Sequence, residues 1–295
     1  MSVTILFSAP PARWDDYRDP LSRALSDDGI EADLATDHPP GTVDYIVYAP
    51  NGGLTDFGPY VRTKAVLSLW AGVETIAPNP TLTMPLTRMV DDGLRQGMVE
   101  YVAAHVLRHH IGLDAHVVNP DRLWEPAVPP LAQDRRVSLL GLGELGSSAA
   151  RALAGLGFDV TGWSRSPREV EGIRCLSGAE GLVKALEGAE IVVLLLPLTA
   201  GTENVLDAAA LERLAPGACI VNPGRGALID DAALLSALDS GRVGHATLDV
   251  FREEPLPGDH PFWTHPGVTV TPHIASETRA DTAADRQNAA ARELP

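Results

Sequence analysis

The sequence predicts an α/β fold made of two doubly wound parallel-sheet domains, the second larger than the first. A strand, a glycine-rich turn, a helix and a second strand follow one another over Val137–Arg165. The run Ile191–Leu196 is apolar throughout, which is typical of a parallel strand buried on both faces. Short apolar runs also alternate with helical patterns over roughly the first 90 residues, which indicates a second parallel sheet.

Composition excludes several classes of protein. The 295 residues are 45% hydrophobic and 21% charged, typical of a globular protein with room for two domains. The net charge of −16, from 23 basic and 39 acidic residues, argues against a nucleic-acid or anionic-membrane surface. Cys175 and Cys219 lack metal or redox spacing, which indicates a reducing compartment. The sequence shows neither a signal-peptide pattern nor an apolar run of membrane-spanning length, so a cytoplasmic protein is expected.

The first domain, with a smaller flavodoxin-like sheet, is expected over residues 1–93. Its expected elements are strands at Val3–Phe7, Ala32–Leu34, Val43–Tyr48 and Val66–Trp70 and a helix at Asp15–Ser26. Loops that follow the C-terminal ends of parallel strands carry the ligand sites of such sheets. The loop that begins at Ala71 after the last of these strands is therefore a candidate substrate loop.

The second domain, a Rossmann-type sheet, is expected over residues 94–273, opening with a long helix at Gly93–Ile111. Later elements are expected at Ala179–Glu187, Ile191–Leu196, Asp207–Leu214, Ala218–Asn222, Asp231–Asp239, Gly244–Val250 and Val268–Val270. Residues 274–295 are expected to return to the first domain. Within them, Ala280–Pro295 has almost no apolar face, which predicts a weakly packed helix or an unfolded segment.

The glycine-rich turn has the G-x-G-x-x-G pattern of a dinucleotide site, between expected strands at Val137–Leu140 and Phe158–Trp163 and before a helix at Ser147–Leu156. The first glycine permits the turn, the second lets the backbone approach a pyrophosphate, and the third lets the helix pack close to its strand. The helix N-terminus would then favour the negative phosphates. The residues expected to bind the cofactor here are Gly141, Gly143, Glu144, Leu145 and Gly146.

The end of the second strand predicts which dinucleotide is bound. NAD enzymes commonly place Asp or Glu there, on the ribose 2′-hydroxyl. This chain has Ser164, Arg165 and Ser166, with Arg168 close by and no carboxylate before Glu169. Serine and arginine can bind a 2′-phosphate that an acid would repel, so NADP(H) is expected, with NAD(H) as the alternative. The interpretation without a cofactor role is that these residues form a solvated basic turn.

Three polar residues follow strand ends of the second domain, where such sheets place their sites. Arg225 follows the strand ACIVN, Glu254 follows ATLDV, and His273 follows VTVT. An arginine presents a planar fork to a carboxylate. A histidine beside a carboxylate is a general acid or base whose protonated form is favoured. Each residue alone also fits a surface or capping role, but together they indicate a catalytic site.

Five segments resemble, in order and approximate spacing, the D-isomer-specific 2-hydroxyacid dehydrogenase family. They read GLGELG, LLLPLT, NPGRG, LDVFREEPLP and TPHIA and span residues 141–275. The first-domain segment Leu69–Glu74 is similar to the family's A-G-V-D substrate loop. AVLSLWAGVETI, GMVEYV, GWSRSP and PFWTHPGVTVTPHIA bring the likeness closest to the glyoxylate/hydroxypyruvate reductase A group. One departure is Pro223–Gly224 before the arginine, where the family usually has Ala or Ser.

The resemblance implies that hydride from a nicotinamide adds to the carbonyl carbon of a 2-keto acid while His273 donates a proton to its oxygen. It implies that Glu254 keeps His273 protonated, and that Arg225 binds the substrate carboxylate and polarises the carbonyl. Further cofactor positions that it implies are Leu196, Pro197, Pro223, Gly224 and Asp249, the last of which alternatively orients its own loop. The implied substrate positions are Trp70, Ala71, Gly72 and Val73, besides the arginine.

The leading hypothesis is an NADPH-preferring reductase of small 2-keto acids, glyoxylate and hydroxypyruvate first. The alternatives are an NAD-dependent 2-hydroxyacid or phosphoglycerate dehydrogenase and, from another class, a cofactor-sensing interaction protein like the family's corepressors. The expected partners are a small-molecule substrate and a second copy in a homodimer, with no nucleic acid and no membrane. No metal is expected, and the histidines of the 105–116 region are interpreted as packing or surface residues: His105, His109, His110 and His116.

Overall fold

The computed structural model describes residues 2–117, 121–122 and 124–293, with side chains up to residue 286. The chain divides into two compact units. The first comprises Met1–Leu94 and Thr278–Pro295, and the second comprises Arg95–Glu277. Each unit contains one sheet, and every strand pairing within the two sheets is parallel.

The first unit contains a five-stranded sheet. Its elements are β1 (Val3–Ser8), α1 (Ala12–Asp27), β2 (Ala32–Ala35), β3 (Tyr45–Tyr48), β4 (Ala65–Ser68) and β5 (Leu86–Thr87). The strand order β2-β1-β3-β4-β5 is that of flavodoxin-like sheets. The predicted fold class is therefore confirmed for this unit, although the two-residue strand β5 was too short to be predicted.

Strand β4 ends two residues earlier than the sequence predicts. The Ser68 hydroxyl accepts a hydrogen bond from the Trp70 N–H at 3.1 Å and donates one to the Trp70 carbonyl at 3.0 Å. A serine that bonds its own neighbouring backbone offers that backbone an alternative to the sheet. The apolar run therefore leaves the strand after Ser68 and enters the loop.

The second unit contains a seven-stranded sheet. Its elements are α2 (Asp92–His110), α3 (Asp114–Val117), β6 (Arg136–Leu140), α4 (Glu144–Gly155), β7 (Asp159–Ser164), β8 (Arg174–Ser177), α5 (Gly178–Leu186), β9 (Ile191–Leu194), α6 (Ala208–Leu211), β10 (Ala218–Asn222), α7 (Asp231–Asp239), β11 (Val243–Leu248) and β12 (Val268–Val270). The order β8-β7-β6-β9-β10-β11-β12 is the Rossmann order, so the predicted fold class is confirmed here too. The strand order reverses between β6 and β9.

Both faces of this second sheet are covered. Leu139 packs into a buried cluster with side chains of α2 and α4, whereas its neighbour Leu140 packs with α5, α6 and α7 on the opposite face. Successive side chains of a strand point to opposite faces, so a strand covered on both sides is mainly apolar. This explains the continuous apolar runs, and it leaves the ends of the strands as the place for polar chemistry.

Helix α8 (Ala280–Glu293) packs against α1 in the first unit. Of the two predicted alternatives, the structure has the helix, and its described side chains are well packed rather than weakly packed. Ala283 and Ala284 are fully buried, since small side chains let two helices approach closely. The Thr282 hydroxyl also donates to the Asp91 carboxylate at 2.9 Å. An apolar face made of alanine is too small to be recognised as one in the sequence.

Substitution of Ala283 by leucine tests this packing. A leucine has no space at a fully buried helix contact, so Ala283→Leu is expected to lower the free energy of unfolding by about 1–3 kcal/mol. Differential scanning calorimetry measures the change. Asp285→Leu, at an exposed position of the same helix, is the matched control and should leave the melting temperature nearly unchanged. Equal melting temperatures for the two variants would contradict the packing.

Candidate active site

The glycine-rich turn after β6 requires glycine at two of its positions. Gly141 has φ +114°, and a Cβ there would lie 2.4 Å from the Leu195 carbonyl oxygen. A Cβ on Gly146 would lie 1.8 Å from the Gly141 carbonyl oxygen. A Cβ on Gly143, in contrast, would meet nothing within 4 Å. The first and third glycines are thus needed by the fold, while the side of Gly143 is open.

The N-terminus of α4 follows this turn directly. The helix begins at Glu144 after Gly143, which provides no side-chain cap, so the N–H groups of its first turn form the kind of anion site found at helix N-termini. The Ser147 and Ser148 hydroxyls donate to the carbonyls of Leu142 and Glu144, and thus bond within the helix and turn. The open glycine and the uncapped helix fit the pyrophosphate of a dinucleotide, with Leu145 in the first turn.

The neighbouring strand ends place the other predicted cofactor residues. Leu196 is buried just after β9, and the carbonyl of exposed Pro197 accepts a hydrogen bond from the Thr202 hydroxyl at 2.7 Å. Pro223 and Gly224 are buried after β10, and a Cβ on Gly224 would lie 2.8 Å from the Leu194 carbonyl oxygen. Leu196 and Pro197 therefore lie at the C-terminal end of β9, and Pro223 and Gly224 lie at that of β10. These two strands follow the point between β6 and β9 where the strand order reverses.

The end of β7 carries the residues predicted to select the cofactor. Ser164 is buried, and its hydroxyl donates to the Ser166 carbonyl at 2.7 Å, which closes the turn. Arg165, Ser166 and Arg168 are exposed. The serine hydroxyl hydrogen is therefore used within the turn, and the arginines are the exposed positive groups at this strand end.

The loop after β10 holds Arg225 through a residue that the sequence analysis did not single out. The buried Asn222 side chain donates to the Arg225 carbonyl at 2.9 Å and accepts from the Gly224 N–H at 3.1 Å. A Cβ on Gly226 would lie 2.0 Å from the Phe251 backbone, so this loop contacts the one after β11. An asparagine before Pro-Gly is a turn signal that could have identified Asn222.

His273 and Glu254 form a hydrogen-bonded pair. Nδ1 of His273 lies 2.7 Å from Oε2 of Glu254. The other carboxylate oxygen of Glu254 accepts from the Phe251 N–H at 2.9 Å. The His273 side chain is 54% exposed. Because Nδ1 faces the carboxylate, the other ring nitrogen, Nε2, is the one available to a reacting group.

The pair shifts the pKa of both partners. The hydrogen bond that His273 donates to Glu254 raises the pKa of His273. Burial opposes this rise, the charges of Glu254 and Asp249 add to it, and the charge of Arg225 lowers the pKa. Burial alone would raise the pKa of Glu254, but hydrogen bonds from His273 and the Phe251 N–H outweigh burial, and the pKa is lowered. The positive charge of Arg225 therefore acts on both groups, and the site favours an imidazolium beside a carboxylate.

Asp249 anchors the loop that carries the histidine. Its carboxyl group is fully buried and accepts hydrogen bonds from the Ile274 N–H at 2.9 Å and the Ala275 N–H at 2.8 Å, one on each oxygen. The Asp249 carbonyl accepts from the His273 N–H at 2.9 Å. Both oxygens are thus engaged by the loop that carries His273, so Asp249 orients that loop rather than its own. The nicotinamide contact stays a prediction.

The candidate substrate loop belongs to the first unit. Trp70 is 41% exposed, and Ala71, Gly72 and Val73 are half-buried. The hydrogen bonds of Ser68 described above fix the start of this loop. The Val73 carbonyl accepts from the Ala77 N–H at 2.8 Å, so the backbone turns back on itself just after the three residues.

The α2 histidines pack within the second unit. The rings of Tyr101 and His105 lie 4.4 Å apart, and those of His109 and His245 lie 5.1 Å apart. Burial, with the neighbouring positive groups, lowers the pKa of His109 to about 3.

Within the described ranges, no group of three or more His, Cys, Asp or Glu could hold a metal ion. None of the helices in that part of the chain combines the length and the hydropathy that a membrane span requires. The homodimer and the cytoplasmic location stay predictions.

Glu254→Gln tests the electrostatic coupling of the pair. Without the Glu254 carboxylate, burial and Arg225 lower the pKa of His273 and only the charge of Asp249 opposes them, so this pKa should fall. NMR titration of the histidine Cε1–H signals measures this pKa, with His273→Gln providing the assignment. Glu253→Gln, at the exposed neighbouring position, should leave it unchanged, and an unchanged pKa in Glu254→Gln would contradict the coupling.

A family model and a curated relative both match this chain. Residues 102–275 match the family model described as D-isomer specific 2-hydroxyacid dehydrogenase, NAD binding domain. The chain is 36% identical over 292 residues to a glyoxylate/hydroxypyruvate reductase A of Serratia proteamaculans, which covers 96% of this chain and 92% of the relative. The match therefore extends over both units.

Two solved structures are similar over nearly the whole chain. A D-isomer specific 2-hydroxyacid dehydrogenase from Xanthobacter autotrophicus Py2, in complex with NADPH and MES, has a TM-score of 0.89 and 36% identity, covering 99% of this chain and 96% of that chain. An NADPH-dependent glyoxylate/hydroxypyruvate reductase from Sinorhizobium meliloti, in complex with NADP and sulfate, has a TM-score of 0.84 and 33% identity, covering 100% and 96%. The chain belongs to the D-isomer specific 2-hydroxyacid dehydrogenase family.

Proposed function

We propose that the protein is an NADPH-preferring reductase of small 2-keto acids, with glyoxylate and hydroxypyruvate as the first substrates. The observation that carries the proposal is the His273–Glu254 pair at 2.7 Å, with the charge of Arg225 acting on both groups. It combines an acid, the carboxylate that keeps it protonated and a cation for the substrate. The names of the similar proteins from Serratia and Sinorhizobium support the choice of substrates.

His273 is the proton donor in this proposal. Reduction of a 2-keto acid adds a hydride to the carbonyl carbon and a proton to its oxygen, which gives the hydroxyl of a 2-hydroxy acid. Glu254 accepts from Nδ1, so Nε2 faces the carbonyl oxygen and gives up its proton. The raised pKa of His273 favours the protonated form that the reaction needs. Reduction should therefore slow as the pH rises through that pKa.

Arg225 binds the substrate in this proposal. A guanidinium forms two parallel hydrogen bonds with a carboxylate, which fixes the keto acid and draws electrons from the adjacent carbonyl. The Asn222 and Gly226 contacts described above hold the backbone of this residue. The N–H groups of Gly72 and Val73 are assigned to the same carboxylate, as the resemblance implies, with Trp70 and Ala71 beside them.

The glycine turn and the α4 N-terminus fit a dinucleotide, as the open Gly143 indicates. When bound, NADPH supplies the hydride for the reaction. Arg165 and Arg168 are exposed at the end of β7, and a 2′-phosphate there gains charge-assisted hydrogen bonds that a ribose hydroxyl does not. The solved structures from Xanthobacter and Sinorhizobium, with NADPH and NADP bound, support this preference.

Charge reversal at Arg165 tests the cofactor choice. Arg165→Asp removes a cation from the 2′-phosphate and adds an anion, so KM for NADPH should rise about 10- to 100-fold. The ratio of kcat/KM for NADPH over that for NADH should invert. Steady-state rates with each cofactor measure it. Arg151→Asp, the same charge change on exposed α4, should keep the ratio, and an unchanged ratio in Arg165→Asp would contradict the assignment.

Substitutions of His273 and Arg225 test the reaction itself. His273→Gln removes the acid, so kcat should fall about 10²- to 10⁴-fold while the protein still binds NADPH. Arg225→Ala should mainly raise KM for the keto acid. The fall in nicotinamide absorbance with glyoxylate and hydroxypyruvate measures both. His265→Gln removes a histidine that lies 3.3 Å from another carboxylate, on Asp239, and should leave turnover unchanged.

Two outcomes would overturn the proposal. Turnover by His273→Gln at the rate of the unsubstituted protein would exclude the histidine as proton donor. An unsubstituted protein that binds NADPH yet turns over no 2-keto acid would leave the cofactor-sensing interaction protein as the better hypothesis.

A further inference from the structure

A chain of two half-buried hydroxyl groups, on Tyr101 and Thr271, leads from helix α2 to the loop that carries the histidine. The Tyr101 hydroxyl lies 2.7 Å from Oγ1 of Thr271. The Thr271 hydroxyl donates to Oδ1 of Asp249 at 2.5 Å. A threonine hydroxyl has one hydrogen, and here it goes to the carboxylate. The bond from Tyr101 to Thr271 must therefore be donated by the tyrosine. Burial raises the pKa of Tyr101, so that the phenol keeps the proton it donates.

The chain ends on the residue that holds the loop. Asp249 accepts from the N–H groups of Ile274 and Ala275 in addition to Thr271. His273 lies between these contacts with φ +54°, a left-handed conformation that side-chain-bearing residues adopt at a cost unless their surroundings hold them there. The buried Asp249 carboxylate accepts three hydrogen bonds, and these hold the loop in this conformation.

We propose that Tyr101 is a positioning residue for His273, because the chain Tyr101–Thr271–Asp249 fixes the loop that sets the imidazole against Glu254. This role of Tyr101 rests on the proposed function, because it takes His273 to be the proton donor. The resemblance assigns no role to Tyr101. In this proposal its hydroxyl acts on the imidazole only through Thr271 and Asp249, and it touches no reacting atom.

The expected consequence follows from the charged groups that face the imidazole, which are Glu254, Asp249 and Arg225. A loop that relaxes away from Glu254 weakens the hydrogen bond that favours the imidazolium. Burial and the positive Arg225, which favour neutral imidazole, then weigh more. A looser loop therefore gives a less basic histidine and a proton donor that is less often charged and aligned.

Tyr101→Phe removes the hydroxyl alone, since the ring that packs 4.4 Å from His105 is kept. The pKa of His273, from NMR titration of the cofactor-free protein, should fall by about 0.5 or more. The kcat for glyoxylate should fall about 2- to 10-fold, with KM unchanged. The decline of kcat/KM at high pH should begin at a lower pH than in the unsubstituted protein. Tyr45→Phe, whose ring lies near Lys64 in the other unit, is the control and should change none of these.

Two variants of Thr271 keep the test decisive if Tyr101→Phe does not fold. Thr271→Val removes the hydroxyl relay and should lower the pKa of His273, whereas Thr271→Ser retains it and should restore the original value. An unchanged pKa and an unchanged kcat in Tyr101→Phe, or equal pKa values in the valine and serine variants, would overturn the proposal. An unsubstituted protein without 2-keto-acid turnover would instead overturn the proposed function, while the titration would still decide the role of Tyr101.

Discussion

At the C-terminal edge of the second sheet, backbone segments approach one another so closely that a Cβ would clash at several glycines. A Cβ on Gly141 or Gly224 would lie 2.4 or 2.8 Å from a carbonyl oxygen of the segment at the end of β9, and one on Gly226 would lie 2.0 Å from the backbone of Phe251. These contacts bind three strand ends and two loops into one edge. Because that edge is fixed, the side chains of Arg225 and Glu254 extend from backbone held against its neighbours.

Charge at this edge works against the charge of the whole chain. A protein with a net charge of −16 does not attract anions in general, so an anionic substrate or phosphate needs cations placed locally. Arg225, in the loop after β10, and Arg165, at the end of β7, are the cations proposed for these two roles. The His273–Glu254 pair adds a conditional cation, which is positive only while the histidine holds the proton that it is proposed to deliver.

Sequence alone predicted both sheets, because most of their strands are short, mainly apolar runs. It also found the candidate acid, carboxylate and arginine, because these residues follow strand ends. It missed features decided by single side-chain hydrogen bonds or by small residues. Ser68 ends β4 early through bonds to its own neighbour, which hydrophobicity does not reveal. Ala283 makes α8 a packed helix although alanine carries little apolar signal. The edge strand β8 is short and lies in a polar stretch, so periodicity was absent there.

Residues that a motif groups together also separate into different tasks once their hydrogen bonds are known. Asp249 and Ser164 both occupy positions associated with the cofactor. The Ser164 hydroxyl, however, bonds within its own turn, and the Asp249 carboxylate bonds the backbone of the loop that carries His273. Both side chains therefore hold backbone in place. The residues proposed to meet cofactor and substrate are exposed neighbours, Arg165 beside the serine and His273 in the loop that the aspartate holds. Asp249 and Gly226 both fix the position of a loop. The Asp249 carboxylate holds the loop in which His273 has a left-handed backbone conformation, and the absence of a side chain at Gly226 lets its loop lie against the backbone of Phe251.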